Sequence, residues 1–190
     1  MHRFYLPPEQ CRNSTLELTE DAAHHALRVL RIQIGERVTV LDGAGHELIC
    51  EVRAATKRTL TLDVRHKTFS PPLPCQITLL QAVPKARAMD YIVQKATELG
   101  AARVVPILSE RTVVQLDGED AGDKAEKWRP IAIEAIKQCG SPWLTKIETP
   151  VTLKSYLARR EKFDLPLIAS LQDDRRHPRE FIRQFREEHT

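Results

Sequence analysis

Ile77-Thr78-Leu79-Leu80-Gln81-Ala82-Val83 and Val104-Val105-Pro106-Ile107-Leu108 decide the fold. Both are nearly continuous apolar runs, the pattern of parallel strands covered on two faces. Between them Met89, Ile92, Val93, Ala96 and Leu99 fall on one helical stripe, with Asp90, Gln94, Lys95 and Glu98 opposite and Gly100 where a left-handed cap belongs. The stretch therefore reads as a strand, a helix and a second, parallel strand. Downstream, Trp128, Ile131, Ala132, Ala135, Ile136 and Cys139 predict a further inward-facing helix over about 123–139, closed by Gly140 and separated or kinked at its first turn by Pro130. Leu165-Pro166-Leu167-Ile168-Ala169 is expected as another strand. Pro178 suits the first turn of a helix that carries the stripe Phe181, Ile182 and Phe185. This half of the chain is α/β, with fewer strands than an open parallel sheet usually holds.

Upstream, Pro71-Pro72-Leu73-Pro74 forbids helix and marks an interdomain linker at 71–75. Before it the period changes to that of strands. Arg37-Val38-Thr39-Val40-Leu41, Leu48-Ile49-Cys50-Glu51-Val52 and Leu60-Thr61-Leu62-Asp63-Val64 are rich in β-branched residues, and Asp42-Gly43-Ala44-Gly45 supplies a turn. One helix interrupts them, with Thr19 as its expected N-cap and Ala23, Leu27 and Leu30 at helical spacing. Residues 1–70 thus predict a small closed or half-closed, all-β barrel ahead of an α/β domain at 76–190.

The 190 residues are 42% hydrophobic and 29% charged, the composition of a globular chain with real cores. No apolar run approaches the roughly 20 residues of a spanning helix, and no signal peptide is evident at Met1-His2-Arg3-Phe4-Tyr5, so the expected location is cytoplasmic, with no membrane partner. Cys11, Cys50, Cys75 and Cys139 form no Cys-x-x-Cys pair and read as ordinary thiols. A net charge of +3 does not establish a polyanionic partner. What counts is local clustering, as in Arg28 with Arg31, Lys57 with Arg58, and Lys85 with Arg87.

Glycine-rich nucleotide loops, nucleophile elbows and His-Glu-x-x-His zinc motifs do not occur. His24 and His25 are adjacent, about 100° apart on a helix, which suits surface or capping roles and not a shared metal ion. Glu110, Asp117, Glu119 and Asp120 read as helix-start acids. Arg28 and Arg31, three apart on a helix, form either a clamp for adjacent phosphates or a solvent-facing edge.

Longer strings carry a resemblance. His24-His25-Ala26-Leu27-Arg28-Val29-Leu30-Arg31 followed by Gly35-Glu36, and Leu80-Gln81-Ala82-Val83-Pro84-Lys85 with Gln94-Lys95-Ala96-Thr97-Glu98-Leu99-Gly100, stand in order along the chain. Ser109-Glu110-Arg111, Lys127-Trp128 and Gln138-Cys139-Gly140 continue them. Together they resemble the RsmE family of ribosomal RNA methyltransferases. The resemblance implies a PUA-like barrel followed by a knotted SPOUT-type α/β domain, working as a homodimer. It implies that S-adenosylmethionine donates a methyl group to N3 of a uridine in 16S ribosomal RNA, with the small ribosomal subunit as partner and no metal.

Arg3, Arg28 and Arg31 are the expected RNA contacts, with Lys85 and Arg111 at strand ends near the sheet's ligand edge. Ala169, Ser170 and Leu171 fall where the family's first donor loop lies. No catalytic base is identified. Family members continue into a Gly-Pro-Glu-Gly-Gly loop and a Leu-Arg-x-Glu-Thr-Ala segment that build most of the donor pocket, and these 190 residues hold neither string. The rival expectation is an RNA-binding relative or fragment without a donor site. Ser141-Pro142-Trp143 also replaces the Arg-rich continuation expected after Gly140.

Overall fold

In the computed structural model, residues 1–84, 88–109, 118–170, 172, 173 and 175–189 are described. The chain groups into two compact units, Met1–Leu153 and Lys154–Thr190.

The first unit starts with a five-stranded half-barrel. Its strands are β1 (Arg3–Tyr5), β2 (Thr15–Thr19), β3 (Arg37–Leu41), β4 (His46–Ala55) and β5 (Thr59–Phe69), ordered β1-β3-β4-β5-β2. β1 runs parallel to β3, while the other pairs are antiparallel. The alternation read from sequence places Val38, Val40, Leu48, Val52, Leu60 and Leu62 on one inward face, where each is essentially buried.

The expected helix after β2 is split. A short α1 (Glu20–His24) opens at once into a π-helical turn, His25–Val29. Thr19 has the extended backbone of a cap, yet its side chain makes no capping bond. Ala23 and Ala26 are buried over the half-barrel, with Leu27 and Leu30 packed beside them.

After the proline-rich stretch, β6 (Thr78–Ala82) and β7 (Arg103–Leu108) pair in parallel, with Thr78 opposite Arg103 and Ala82 opposite Ile107. Two short segments, β8 (Lys146–Ile147) and β9 (Val151–Thr152), pair in parallel with β7 on its other side. The gap between them lies opposite Val105 and Pro106, and Pro106 brings no N–H to the ladder. Helices α2 (Ala88–Glu98) and α3 (Gly118–Cys139) cover this sheet through Met89, Val93, Trp128 and Ala132.

Four details differ from the sequence reading. Leu99 is 81% exposed, because α2 ends at Glu98 and the buried position on its last turn is Thr97. Cys139 is exposed at the end of α3. Helix α3 runs as one segment through Pro130, so its first turn is not a separate element, and Pro130 removes one internal hydrogen bond. The stretch 165–169 is not a strand: it pairs with no described residue, Pro166 removes a donor, and Ile168 is 92% exposed.

The second unit continues α4 (Leu153–Ala158), in which Tyr156 donates to Glu161 Oε2 at 3.0 Å. It ends with α5 (Pro178–His189), where Phe181 and Phe185 are half-buried.

Candidate RNA-contact and donor-site residues

Arg28 and Arg31 are both exposed, but not for the reason the spacing suggests. Arg28 sits in the π turn, and Arg31 follows the helix with φ 55°, a left-handed backbone. The three-residue rule for one α-helical face therefore does not relate them. What places them together is chain path. Thr19 pairs with Thr59 on one side, and Gly35 N donates to Val52 O at 2.8 Å on the other. The intervening segment thus spans one end of the half-barrel and carries both guanidiniums across it.

The β4–β5 hairpin tip stands at that same end. Thr56 Oγ1 lies 2.7 Å from Thr59 Oγ1 and accepts from the backbone N–H groups of Arg58 and Thr59, which fixes a tight turn presenting Lys57 and Arg58 to solvent. His24 and His25 are exposed on the adjoining helix. Among the described residues no group of three or more His, Cys, Asp or Glu side chains is placed to hold a metal ion.

Arg3 is engaged elsewhere. Its Nη1 donates to the carbonyls of Lys137 and Gln138 at 3.3 Å each, capping the negative end of α3. Two residues on, the Tyr5 hydroxyl accepts from Arg129 Nη2 at 3.3 Å. Partial burial raises the Tyr5 pKa, and the Arg129 charge and hydrogen bond oppose that rise.

A second group lies on the turn after β3. Asp42 is 2% exposed; its Oδ1 accepts from the N–H groups of Ala44 and His46 at 2.8 and 2.9 Å, and its Oδ2 lies 2.7 Å from His46 Nδ1. The turn so braced meets residues 141–144. Gly45 N donates to Pro142 O at 2.9 Å, Leu144 N donates to Gly43 O at 3.0 Å, and Ala44 forms an antiparallel bridge with Trp143. The Trp143 Nε1 donates to Ser70 O at 3.0 Å, and its ring meets Phe69 edge-on at 6.1 Å. The 42–45 string is legible in sequence as a turn, but its partner at 141–144 lies about 100 residues away.

The sheet's ligand edge lies at the C-terminal ends of β6 and β7, where Val83, Pro84 and Ser109 stand. Lys85 and Arg111, expected there, lie outside the described residues. Ala169 and Ser170 are exposed and irregular, and Leu171 is likewise outside the described residues. Two surface cavities lie elsewhere. One of about 340 Å³ runs between α2 and α3, lined by Gln94, Pro130, Ile131 and Glu134. The other, about 260 Å³, lies at the opposite end of the sheet beside Leu73, Gly100 and Trp143.

The thiols divide by environment. Burial pushes Cys11 up to about 11 and Cys50 to about 12, while Cys75 and Cys139 are exposed. No described helix is long and apolar enough to cross a membrane.

Comparisons with known proteins agree on kinship. A family profile described as RNA methyltransferase domain matches residues 71–188, and one described as RNA methyltransferase PUA domain matches residues 18–65. The chain is similar to ribosomal RNA small subunit methyltransferase E of Aquifex aeolicus, at 37% identity over 85% of this chain and 69% of that one. The same protein of Bacillus subtilis matches at 29% identity over 82% of this chain and 61% of its own length. The crystal structure of a ribosomal RNA small subunit methyltransferase E from Neisseria gonorrhoeae bound to S-adenosyl methionine matches with a TM-score of 0.80 at 30% identity. That match covers 94% of this chain and 76% of the other. The chain spans about half to two-thirds of the length of curated relatives it matches.

Proposed function

Because the chain belongs to the ribosomal RNA small subunit methyltransferase E family, we propose that it forms the RNA-gripping part and the first portion of the transfer domain of an enzyme that methylates uridine N3 in 16S ribosomal RNA. The methyl donor in this reading is S-adenosylmethionine, which the Neisseria gonorrhoeae relative binds. The enzyme works in the cytoplasm, as a homodimer, on the small ribosomal subunit or its RNA. We assign RNA contact to residues 1–70, a linker to 71–75, and the transfer domain to 76–190.

One observation carries the reading: a half-barrel end bearing Arg28 and Arg31 is joined, within one compact unit, to a parallel sheet of the ligand-binding type. Uridine N3 carries a proton and lies on the pairing edge, so the base must be unpaired before a methyl group reaches it. Loss of that proton leaves negative charge on the ring, which nearby cations stabilise. The task of the described residues is accordingly to bind and orient RNA. We place Arg28 and Arg31 in that role, with Lys85 and Arg111 nearer the reacting base and Ala169, Ser170 and Leu171 in the first donor loop.

The test pairs two measurements on the 190-residue chain. Filter binding to 16S ribosomal RNA is expected to show salt-dependent affinity, and calorimetric titration with S-adenosylmethionine reports whether these residues hold the donor. RNA binding with donor-dependent methylation at a uridine supports the enzyme. Because these residues lack the Gly-Pro-Glu-Gly-Gly and Leu-Arg-x-Glu-Thr-Ala strings, RNA binding with no donor uptake is expected of a first portion of the enzyme as of a non-catalytic relative, and failure to bind RNA overturns the reading.

A further inference from the structure

Two domains joined by a short proline-rich linker ordinarily move relative to one another unless a substantial interface holds them. Here the half-barrel and the parallel sheet meet along a seam with two attachments. The first is β1 lying along α3. Arg3 reaches the carbonyls of Lys137 and Gln138, and Arg129 reaches the Tyr5 hydroxyl, so that strand and helix are tied at two places along their length. The helix end is shaped to receive Arg3: Gly140 has φ 79°, and a Cβ there would stand 3.1 Å from the guanidinium carbon.

The second attachment is the turn at 42–46 against 141–144. Backbone hydrogen bonds run both ways, from Gly45 to Pro142 and from Leu144 to Gly43, as in a short antiparallel ladder. The Trp143 indole lies directly over the turn. A Cβ on Gly45, at φ 97°, would lie 2.6 Å from its Cζ2 and 2.7 Å from Phe69 Cε2. The indole N–H also anchors the end of the half-barrel through Ser70 O. The two attachments are contiguous, since a Cβ on Gly43 would stand 3.0 Å from the Tyr5 ring, and together they restrict hinge bending at the seam.

We infer that this seam is a fixed spacer in RNA recognition, with Arg3 and Trp143 as positioning residues that hold the Arg28 and Arg31 end of the half-barrel at a set distance and angle from the C-terminal edge of β6 and β7. The inference rests on the proposed reading for its RNA partner, but not for its geometry. RNA seated on the half-barrel is then presented to the sheet at one place, and a two-point grip gains from the high effective concentration of its second half. Arg3 serves as a brace, so the RNA-contacting set at this end is Arg28 and Arg31 with the hairpin tip. Trp143 occupies the segment after Gly140 where the family resemblance leads to an Arg-rich sequence.

The experiment measures residual dipolar couplings of the 190-residue chain in a weakly aligning medium, for amides of residues 3–68 and of 76–150. The expected result is one shared alignment tensor. Trp143→Ala is expected to split it into two and Trp143→Phe to keep one, while Arg3→Ala is expected to loosen the seam and Arg3→Lys to recover that only in part because it lacks the planar fork. Two glycines inserted after Pro72 are expected to change nothing, since the seam and not the linker sets the geometry; this variant keeps the test alive if Trp143→Ala does not fold.

With 16S ribosomal RNA as probe, Trp143→Ala is expected to weaken affinity about 10-fold, and Trp143→Phe and the glycine insertion to retain it. Two tensors in the unaltered chain, or separation of the tensors by the insertion, overturns the spacer even if RNA binds normally. A shared tensor in Trp143→Ala with unchanged RNA affinity overturns it too. Absence of RNA binding by the unaltered chain removes the RNA role and the proposed function together, while the tensors still judge the brace.

Discussion

The carboxylate of Asp42 lies 2.7 Å from Nδ1 of His46, four residues ahead in the chain, and the same carboxylate holds two backbone N–H groups of the turn between them. The turn is therefore shaped from inside by one buried side chain before it meets Trp143. Asp42→Ala strands those two donors at a buried site. It is expected to destabilise the chain by about 1–3 kcal/mol in urea unfolding, and an unchanged midpoint would show that the turn holds itself.

Gly45→Ala combines a left-handed backbone with a Cβ at 2.6 Å from the indole. Both effects act in the folded state, so we expect a loss of about 2 kcal/mol or more. Trp143 fluorescence is expected to shift to the red as the ring is displaced toward water, and a native emission maximum would contradict this.

Thiol titration at pH 8 is expected to detect Cys75 and Cys139 quickly and Cys11 and Cys50 only after unfolding. Burial raises the latter two from the ordinary 9.0 to about 11 and about 12. The unfolded thiols thus lose their protons first as pH climbs. Their contribution to stability is intact below pH 9.0 and is lost as pH rises toward 11 and 12. Stability that increases over that alkaline window would reverse the assignment.

Replacing Arg28 and Arg31 together by alanine removes two cations from the end of the half-barrel. Affinity for 16S ribosomal RNA is expected to fall, and the slope of log affinity against log salt to flatten by between about 1 and 2 units. An unaltered slope would take both residues out of the interface.

Much of the architecture was legible because it is local. The change from alternating Leu60, Leu62 and Val64 to the unbroken runs at 77–83 and 104–108 marks the passage from the antiparallel half-barrel to the parallel sheet, although both lie in one compact unit, Met1–Leu153. Misreadings arose where a local pattern was carried one step too far. Leu99 and Cys139 have the right spacing but lie on or beyond the last turn of their helices, where the inward face no longer has a neighbour. Apolar composition suggested a strand at 165–169, but a strand exists through its partner, and Ile168 has none among the described residues. Arg28 and Arg31 were paired by α-helical arithmetic that the π turn does not obey.

The seam was illegible for a different reason. Arg3 with Gln138 and Ala44 with Trp143 are contacts across 135 and about 100 positions, and no window of periodicity spans them. Trp143 stands out in sequence only as a departure from an expected basic segment. The donor loops could be placed by resemblance alone, and Lys85, Arg111 and Leu171 lie outside the described residues.

The cover that α3 lays along β1 bears on how this protein behaves when crowded. Open sheets polymerise when each copy offers one bare margin to the next and keeps another bare for the copy after that. In this half-barrel the margin at β1 is occupied by a helix of its own chain, and β2 forms the other. Copies that meet through β2 can close as a pair, and the half-barrel itself then offers no second bare margin to a third copy.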